Sequence, residues 1–220
     1  MTVIPREHKE INIKTNSRYL RELKQSIVLS EIQKRVLYGT LMGDGCLIPT
    51  ASKTQYRLQI EHTAQHKEYV FWKYEIFKNF VVSPPKYTAV NSWKFRTISH
   101  EDFLSVQEIF YKNRKKILPR EISFLIDPLV LAVWFMDDGG KLAEQGCLLN
   151  IQNFTDEEAL RLSRCFQEKL DIPATLHRNH GRYRLYIPSR SVETFLKLVK
   201  GYIHREFRYK FPLTRRDLKW

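Results

Sequence analysis

Leu37-Tyr38-Gly39-Thr40-Leu41-Met42-Gly43-Asp44-Gly45 and Leu131-Ala132-Val133-Trp134-Phe135-Met136-Asp137-Asp138-Gly139 follow one pattern. Each is an apolar stretch closed by Asp-Gly, and the two Asp-Gly pairs stand 94 positions apart. An Asp at a helix C-terminus faces the negative end of the helix dipole. A buried carboxylate there without a partner protonates or costs several kcal/mol. A divalent cation offsets both penalties. Two such helices packed side by side deliver two carboxylates to one place. Gly39 and Gly43, four apart, form a small-residue stripe that allows close backbone approach. Paired carboxylates holding Mg²⁺ between them suit phosphodiester hydrolysis, where metals generate hydroxide and stabilise the leaving oxygen. One Asp-Gly after a helix is a common C-cap turn. Two copies closing apolar helices in matching places carry the information.

The surrounding signals place both stretches in a repeated order of elements. Residues 1–19 read as a polar N-terminal arm, and helical signals begin near Tyr19. Ser30 and Gln33 form a capping box that opens the helix running through Val36, Leu37, Leu41 and Met42. Tyr56 to Glu61 alternates as a strand, with Arg57, Gln59 and Glu61 on one face. A helix is expected over His66–Phe80, its aromatic side chains Tyr69, Phe71, Trp72, Tyr74 and Phe77 serving as core. Next come a strand over Trp93–Ser99, with Lys94 and Arg96 on one face, and a helix over His100–Tyr111. A basic loop, Lys112–Arg120, carries five Lys/Arg and no acid. The order then restarts. Asp127-Pro128 is a helix start, with Asp as N-cap and Pro at the first helical position. The helix from Leu129 to Asp138 is apolar all round and should be buried. A strand is expected over Leu148–Phe154, with Asn150 and Gln152 on one face. Thr155 to Glu158 is a second capping box opening a helix to Leu170. Strands at Ala174–Asn179 and Arg182–Ile187 and a helix over Val192–Tyr202 complete the half. The chain thus reads as a duplicated unit, residues 20–120 and 121–220.

Composition bounds the class. The chain has 220 residues, 43% hydrophobic and 28% charged, ordinary for a folded protein. Its longest apolar run, Leu129–Met136, is far too short to span a bilayer, and no membrane association is expected. The first twenty residues mix Arg6, Lys9, Lys14 and Arg18 with Glu7 and Glu10, which gives no expectation of a signal peptide. Cys46, Cys147 and Cys165 form no CxxC pair, so reduced thiols in a reducing, intracellular compartment are expected rather than a disulfide scaffold or zinc finger. Lys+Arg number 37 against 24 Asp+Glu, a net charge of +13. Such an excess favours a polyanionic partner, nucleic acid first and an anionic membrane surface second.

The two nonapeptides resemble the LAGLIDADG motifs of homing endonucleases, and the second, with Trp134-Phe135-Met136-Asp137-Asp138-Gly139-Gly140-Lys141, looks especially like the single-chain, intron-encoded members. The resemblance covers the chain from about Ser30 to its end. It implies an α+β fold of two pseudo-symmetric αββαββα repeats, with the motif helices at the repeat interface and two antiparallel four-stranded sheets forming a saddle over DNA. It implies a metal-dependent double-strand cut at a long, asymmetric site, leaving short 3′ overhangs, with Mg²⁺ as cofactor and Ca²⁺ or Mn²⁺ as substitutes. The metal-binding acid falls on Asp44 in the first motif and Asp138 in the second. Gly43 and Asp137 hold the preceding position, whose backbone carbonyl faces the metal in the family. Lys116 and Lys210, each followed within three residues by Pro, resemble the lysines that family members place near each active centre, where such a group could position water or stabilise charge on the phosphate. The alternative for each is a phosphate contact with no catalytic part. Gln59 resembles a polar residue lying just beyond the metals, and Asn150 and Gln152 both remain open as its counterpart, Gln152 being the catalytic candidate. Tyr38 and Thr40 in the first motif, and Val133 and Asp137 in the second, depart from the small or apolar residues of the family. Close helix packing on the second side is therefore expected to fall to Ala132.

Arg57 and Gln59, Lys94 and Arg96, Asn150 and Gln152, and Arg182 and Arg184 make the polar strand faces basic and amide-rich. A sheet can lay such side chains into the major groove, where Arg reads guanine and Asn or Gln reads adenine. A merely solvated sheet face would alternate in the same way, and the charge excess tilts the reading to double-stranded DNA. Lys115 and Arg208, with the basic loop and basic C-terminal region, are expected phosphate contacts. A monomer is expected, two motifs in one chain supplying what homodimeric relatives obtain by pairing. The alternatives are an intron maturase that binds host intron RNA and a non-catalytic DNA-binding regulator. The host compartment would be a bacterial cytoplasm or an organelle, mitochondrion or chloroplast.

Overall fold

The structure, a computed structural model, describes residues 18–142 and 146–212. Contacts divide them into two units, one built from residues up to Lys34 together with Gly45–Gln107, the other from Arg35–Asp44 together with residues from Glu108 onward.

The first unit starts with α1 (Arg18–Ser26), which buries Leu20 and Leu23. The expected N-terminal arm falls outside the described residues as far as position 17, and α1 takes Arg18 and Tyr19. Helix α2 (Glu31–Met42) opens on the capping box. The Ser30 amide donates to Gln33 Oε1 (2.9 Å), and the Gln33 amide donates to Ser30 Oγ (3.3 Å). Gln33 is buried and its amide nitrogen also donates to Ile76 O and Asn79 Oδ1, each at 2.7 Å. The cap is thereby locked to the end of α3, and α2 runs on into the second unit. Strands β1 (Cys46–Pro49) and β2 (Tyr56–Thr63) follow, then α3 (Lys67–Ile76), β3 (Lys86–Thr88), β4 (Ser92–Arg96) and α4 (Glu101–Phe110). The four strands form an antiparallel sheet in the order β1-β2-β4-β3. The helix expected over His66–Phe80 is interrupted at Phe77, and Lys78–Phe80 turns as 3₁₀ ahead of the Ser83-Pro84-Pro85 break. Tyr69, Tyr74 and Phe77 of this segment are core residues as expected, while Phe71 and Trp72 are half-buried. Lys73 is fully buried, its ammonium 4.4 Å from the Tyr69 ring centroid.

In the second unit, Tyr111–Lys112 (β5) and Lys115–Lys116 (β6) pair as a tight hairpin inside what reads from sequence as a basic loop. Its two central residues, Asn113 and Arg114, both have positive φ (52° and 64°), the turn that matches strand twist. A short α5 (Ile122–Leu125) leads to α6 (Pro128–Asp138). Asp127 Oδ1 accepts from the amides of Leu129 and Val130, both at 2.9 Å, and Pro128 fills the first helical position. Leu129 through Met136 are all buried, as an all-round apolar helix requires. Then come β7 (Gly139–Lys141), β8 (Cys147–Asn150), α7 (Asp156–Leu170), β9 (Thr175–Asn179), β10 (Arg182–Ile187) and α8 (Ser189–Val199). The second sheet has the order β7-β8-β10-β9, the same arrangement as the first and likewise antiparallel throughout. The strand expected over Leu148–Phe154 ends at Asn150, because Ile151–Phe154 turns to bring Thr155 into the capping box of α7. Cys147 and Cys165 are free and buried, and burial pushes the Cys147 thiol up to about 12. Among the described residues no helix is long and apolar enough to cross a membrane.

The decisive contact lies between α2 and α6. A Cβ added at Gly39 would stand 2.6 Å from Val130 O and 2.7 Å from Val133 Cβ. One at Gly43 would stand 2.4 Å from Asp137 Cβ. The stripe on α6 is therefore Val130, Val133 and Asp137, spaced at three and four residues. It is not Ala132, where close packing was expected. Gly39 and Gly43 supply all the clearance, which lets larger residues stand on the facing helix. In an exposed helix, Gly→Ala stabilises by about 1 kcal/mol. Here the sign should reverse. Gly39→Ala is expected to destabilise by about 1–3 kcal/mol, read as a lower urea midpoint with unchanged slope.

Candidate active site

Helix α2 ends at Met42, and Gly43 and Asp44 follow it; helix α6 ends with Asp137 and Asp138 themselves. The glycine contact at position 43 brings these two ends together. The carboxylate oxygens of Asp44 and Asp137 lie within 4.8 Å of one another. Asp44 is exposed, whereas Asp137 and Asp138 are half-buried. Asp138 is pushed up to about 7, chiefly by burial, then by the negative charges of Asp44 and Asp137. The ammonium groups of Lys116 and Lys210 pull it part of the way back.

Both lysines sit where helix carbonyls lack partners. Lys116 Nζ donates to Gly43 O at 2.6 Å. Lys210 Nζ donates to Met136 O at 2.6 Å and to Asp137 O at 3.2 Å. Each motif helix thus has one ammonium against its negative end, the favourable placement for a cation. The two carbonyls that the family resemblance assigns to metal, at Gly43 and Asp137, both accept from these lysines.

The lysines are themselves braced by their neighbours. Two residues after Lys116, the Leu118 amide donates to Glu158 Oε1 (3.0 Å), and Leu118 O accepts from Arg161 (2.8 Å). Helix α7 thereby clamps the strand that presents Lys116. Glu158 also closes the capping box with Thr155. Lys210 ends a 3₁₀ segment, Arg205–Lys210, and its successor Phe211 is buried. The Phe211 ring lies 4.7 Å from Phe135 and 5.7 Å from Phe195. An aromatic cluster therefore holds the main chain from which Lys210 reaches back.

Of the two amide candidates, Asn150 touches the site. Its Nδ2 donates to Asp138 O at 3.0 Å. Gln152 lies past the end of β8 and donates to Asn150 Oδ1 at 3.4 Å. Gln59 stands opposite Arg96 across β2 and β4, and Asn150 stands opposite Arg184 across β8 and β10. Gln59 and Asn150 thus each have an arginine as cross-strand neighbour.

Each sheet gathers its expected polar residues on one face. On the first, Arg57, Gln59 and Glu61 alternate along β2, with Arg96 opposite Gln59 and Lys94 opposite Glu61. Lys94 is tied to Glu61 at 2.9 Å. Glu61 lies below its usual range because Ser92 and Lys94 donate to it. On the second, Arg182 and Arg184 face Asn179 and His177 of β9. The Nε atoms of Arg57 and Arg184 are buried and have no hydrogen-bond partner. Lys115 is exposed in the β5–β6 hairpin, and Arg208 is exposed in the segment before Lys210. Sequence reading missed Lys86 of β3 and His177 and Asn179 of β9, since a three-residue edge strand and a hairpin partner leave little period to read.

The carboxylates of Asp44, Asp137 and Asp138 at the motif ends offer oxygen donors, which suit a hard divalent cation. Such a cation would offset both the burial and the carboxylate repulsion that raise Asp138. The chain's residues therefore fit the group.

The model of the LAGLIDADG DNA endonuclease family matches residues 34–195. A probable intron-encoded endonuclease 1 of Wickerhamomyces canadensis is 30% identical, over 89% of this chain and 90% of that relative. A cytochrome b mRNA maturase bI2 of Debaryomyces hansenii is 29% identical, over 80% of this chain and 71% of the relative. The structure of the homing endonuclease I-WcaI bound to its DNA recognition sequence matches with a TM-score of 0.84 and 28% identity, covering 91% of this chain and 95% of that one.

The raised Asp138 has a consequence for stability. Its folded value, about 7, lies above the ordinary 3.8. Between these values the folded state keeps a proton that the unfolded chain has released, so stability falls as pH rises through that window. Asp138→Asn removes the penalty. In chelator, the variant is expected to melt above the wild type at pH 7.5, by on the order of a few kcal/mol, and to lose that advantage as pH falls toward 4. A difference independent of pH would contradict the burial of this carboxylate.

Proposed function

The chain belongs to the LAGLIDADG DNA endonuclease family, and on that premise we propose that it is a site-specific homing endonuclease. It makes a metal-dependent double-strand cut with short 3′ overhangs at a long, asymmetric DNA target. The observation that carries this reading is the meeting of the two motif ends, with carboxylates gathered at one point and a lysine ammonium on each helix end. Residues 20–120 and 121–220 act as two repeats, each contributing one acid, so that a single chain addresses both strands of the duplex as a monomer.

Asp44 and Asp138 would hold Mg²⁺, with Mn²⁺ or Ca²⁺ as substitutes and Asp137 and Gly43 adjoining. Such a cation, when bound, lowers the pKa of water and stabilises the departing oxygen. The chain's own residues do the rest. Lys116 and Lys210 hold positive charge beside the acids, where negative charge develops on the phosphate. Gly43 O and Asp137 O keep those ammonium groups in place. Asn150, bonded to Asp138 O, orients a polar group at the margin of the site, with Gln152 behind it, and the family resemblance implies a like part for Gln59. Arg57, Gln59, Lys94, Arg96, Asn150, Gln152, Arg182 and Arg184 present donors to base edges and phosphates, and Lys115 and Arg208 add phosphate contacts.

A second reading is favoured by the maturase relative, the cytochrome b mRNA maturase bI2 of Debaryomyces hansenii. In that reading the same basic faces assist splicing by binding host intron RNA. It needs the charge but not both acids. A splicing assay on the host intron separates the two. The intron-encoded name of the first relative favours a gene carried in an intron of a bacterial or organellar genome.

The test is cleavage of a randomised-target plasmid library in Mg²⁺ and then in Ca²⁺, with the cut ends sequenced. Discrete Mg²⁺-dependent cuts within one long motif, with 3′ overhangs, are expected. Salt-sensitive binding without cleavage of any DNA would overturn the nuclease reading and favour the maturase. Asp44→Asn or Asp138→Asn is expected to lower double-strand cleavage beyond the roughly 10–100-fold typical of outer groups, with DNA affinity retained. Full cleavage by either variant would refute the metal assignment. Lys116→Met and Lys210→Met are expected to cut roughly 10²–10³-fold more slowly, in single-turnover assays at saturating protein.

A further inference from the structure

The first unit contains a cavity of about 940 Å³ bordered by the polar face of its sheet. Five lysine and arginine side chains line it, Lys24, Arg57, Lys86, Lys94 and Arg96, and among the described residues no aspartate or glutamate does. Four of them stand on strands. Lys24 comes from α1, an element outside both sheets.

Lys24 is fastened at both ends. Its backbone carbonyl accepts from Nε2 of the buried His100 at 2.8 Å. The Nδ1 of the same ring lies 3.2 Å from the Asp102 amide nitrogen, which holds the ring in place. At the other end, Lys24 Nζ donates to Ser99 Oγ at 2.8 Å and to Gln55 Oε1 at 3.3 Å. Ser99 in turn donates to Gln55 Oε1 at 3.0 Å. Both holders are neutral. An ammonium carries three donors, and these bonds use two.

The neighbourhood calls for negative charge. Burial pushes Lys24 below its ordinary range, and the Arg57 guanidinium pushes it further. Arg57 Nε is buried and unpartnered. Lys94 differs, since Glu61 already holds it at 2.9 Å. Two cations are thus fixed near one another with donors left over, an arrangement that costs energy until an acceptor arrives. A phosphate accepts from both and offsets their repulsion. We propose that Lys24 and Arg57 together clamp one backbone phosphate of the DNA, so that α1 belongs to the DNA-binding surface. Gln55 and Ser99 are the positioning residues that hold the ammonium there. This assignment rests on the DNA-binding reading given above.

Phosphate contacts position a protein on DNA without reading sequence, which sets the test. Wild-type protein and Lys24→Met are incubated with one randomised duplex library in Ca²⁺, and the bound fraction is sequenced. Affinity for one selected duplex is then measured between about 50 and 200 mM salt. Lys24→Met should bind roughly tenfold more weakly at the low-salt end. Its sequence profile should be unchanged, and its log K against log salt slope should be shallower by about 1. Ser99→Ala, which frees the ammonium without removing it, should lose a smaller amount in the same direction. It decides the matter alone if Lys24→Met does not fold. A preference lost at one base position with the slope intact would overturn the phosphate assignment, as would affinity and slope equal to wild type. Absence of salt-sensitive binding by the wild type would instead overturn the underlying DNA-binding reading.

Discussion

Two glycines on one helix, Gly39 and Gly43, set the distance on which the site depends. Where either would carry a Cβ, backbone or side-chain atoms of the facing helix already stand within 3 Å. No other residue type fits without moving one helix. Their closeness is what puts Asp44 beside Asp137 and Asp138 rather than on a separate helix end. It also creates an electrostatic problem. Two negative helix ends and three carboxylates are gathered in one place, and the least exposed pair of them adjoins the dry interior of α6. Lys116 and Lys210 answer part of this by donating to the terminal carbonyls. Asp138 is still pushed up to about 7, first by burial and then by the charges of Asp44 and Asp137, so the lysines offset only part of it.

Charges placed this way work only if they cannot drift. The second unit invests packing in keeping them still. Helix α7 holds Leu118 by both its amide and its carbonyl, and the strand presenting Lys116 follows. Phe211 is buried against Phe135 and Phe195, and Phe135 belongs to the helix whose end Lys210 caps. A core contact and a charge contact thus meet on α6. The lysines bond to backbone carbonyls, which cannot rotate away as side chains can. That makes their location a property of the helices rather than of a flexible surface.

Away from the motif ends, the structure separates cations that are already satisfied from cations that are not. Lys94 is ion-paired to Glu61 on the neighbouring strand. Arg57 and Arg184 keep a buried, unpartnered Nε. Lys24 is held by neutral groups alone. Counting basic residues on strands would rank these equally. Their partners show which have charge to spend on an anion.

The sequence by itself determined the elements that rest on local chemistry. Ser30 with Gln33, Asp127 with Pro128, and Thr155 with Glu158 all start helices where they were read to, because capping is settled within one turn of chain. The alternation of Tyr56–Glu61 and Arg182–Ile187 likewise reports its faces, and the two Asp-Gly endings mark the acids. Short edge strands such as Lys86–Thr88 and Gly139–Lys141 were not legible, since three residues carry no period and their hydrogen bonds belong to a distant partner. Only the tertiary structure decided that Val130 and Val133, not Ala132, face Gly39. It alone set Asn150 on Asp138 O, with the strand stopping at the turn into α7, and it alone carried Lys24 to the sheet face. Each of these is a contact between residues far apart in the chain, and pattern along a chain holds no record of which distant atoms will share a space.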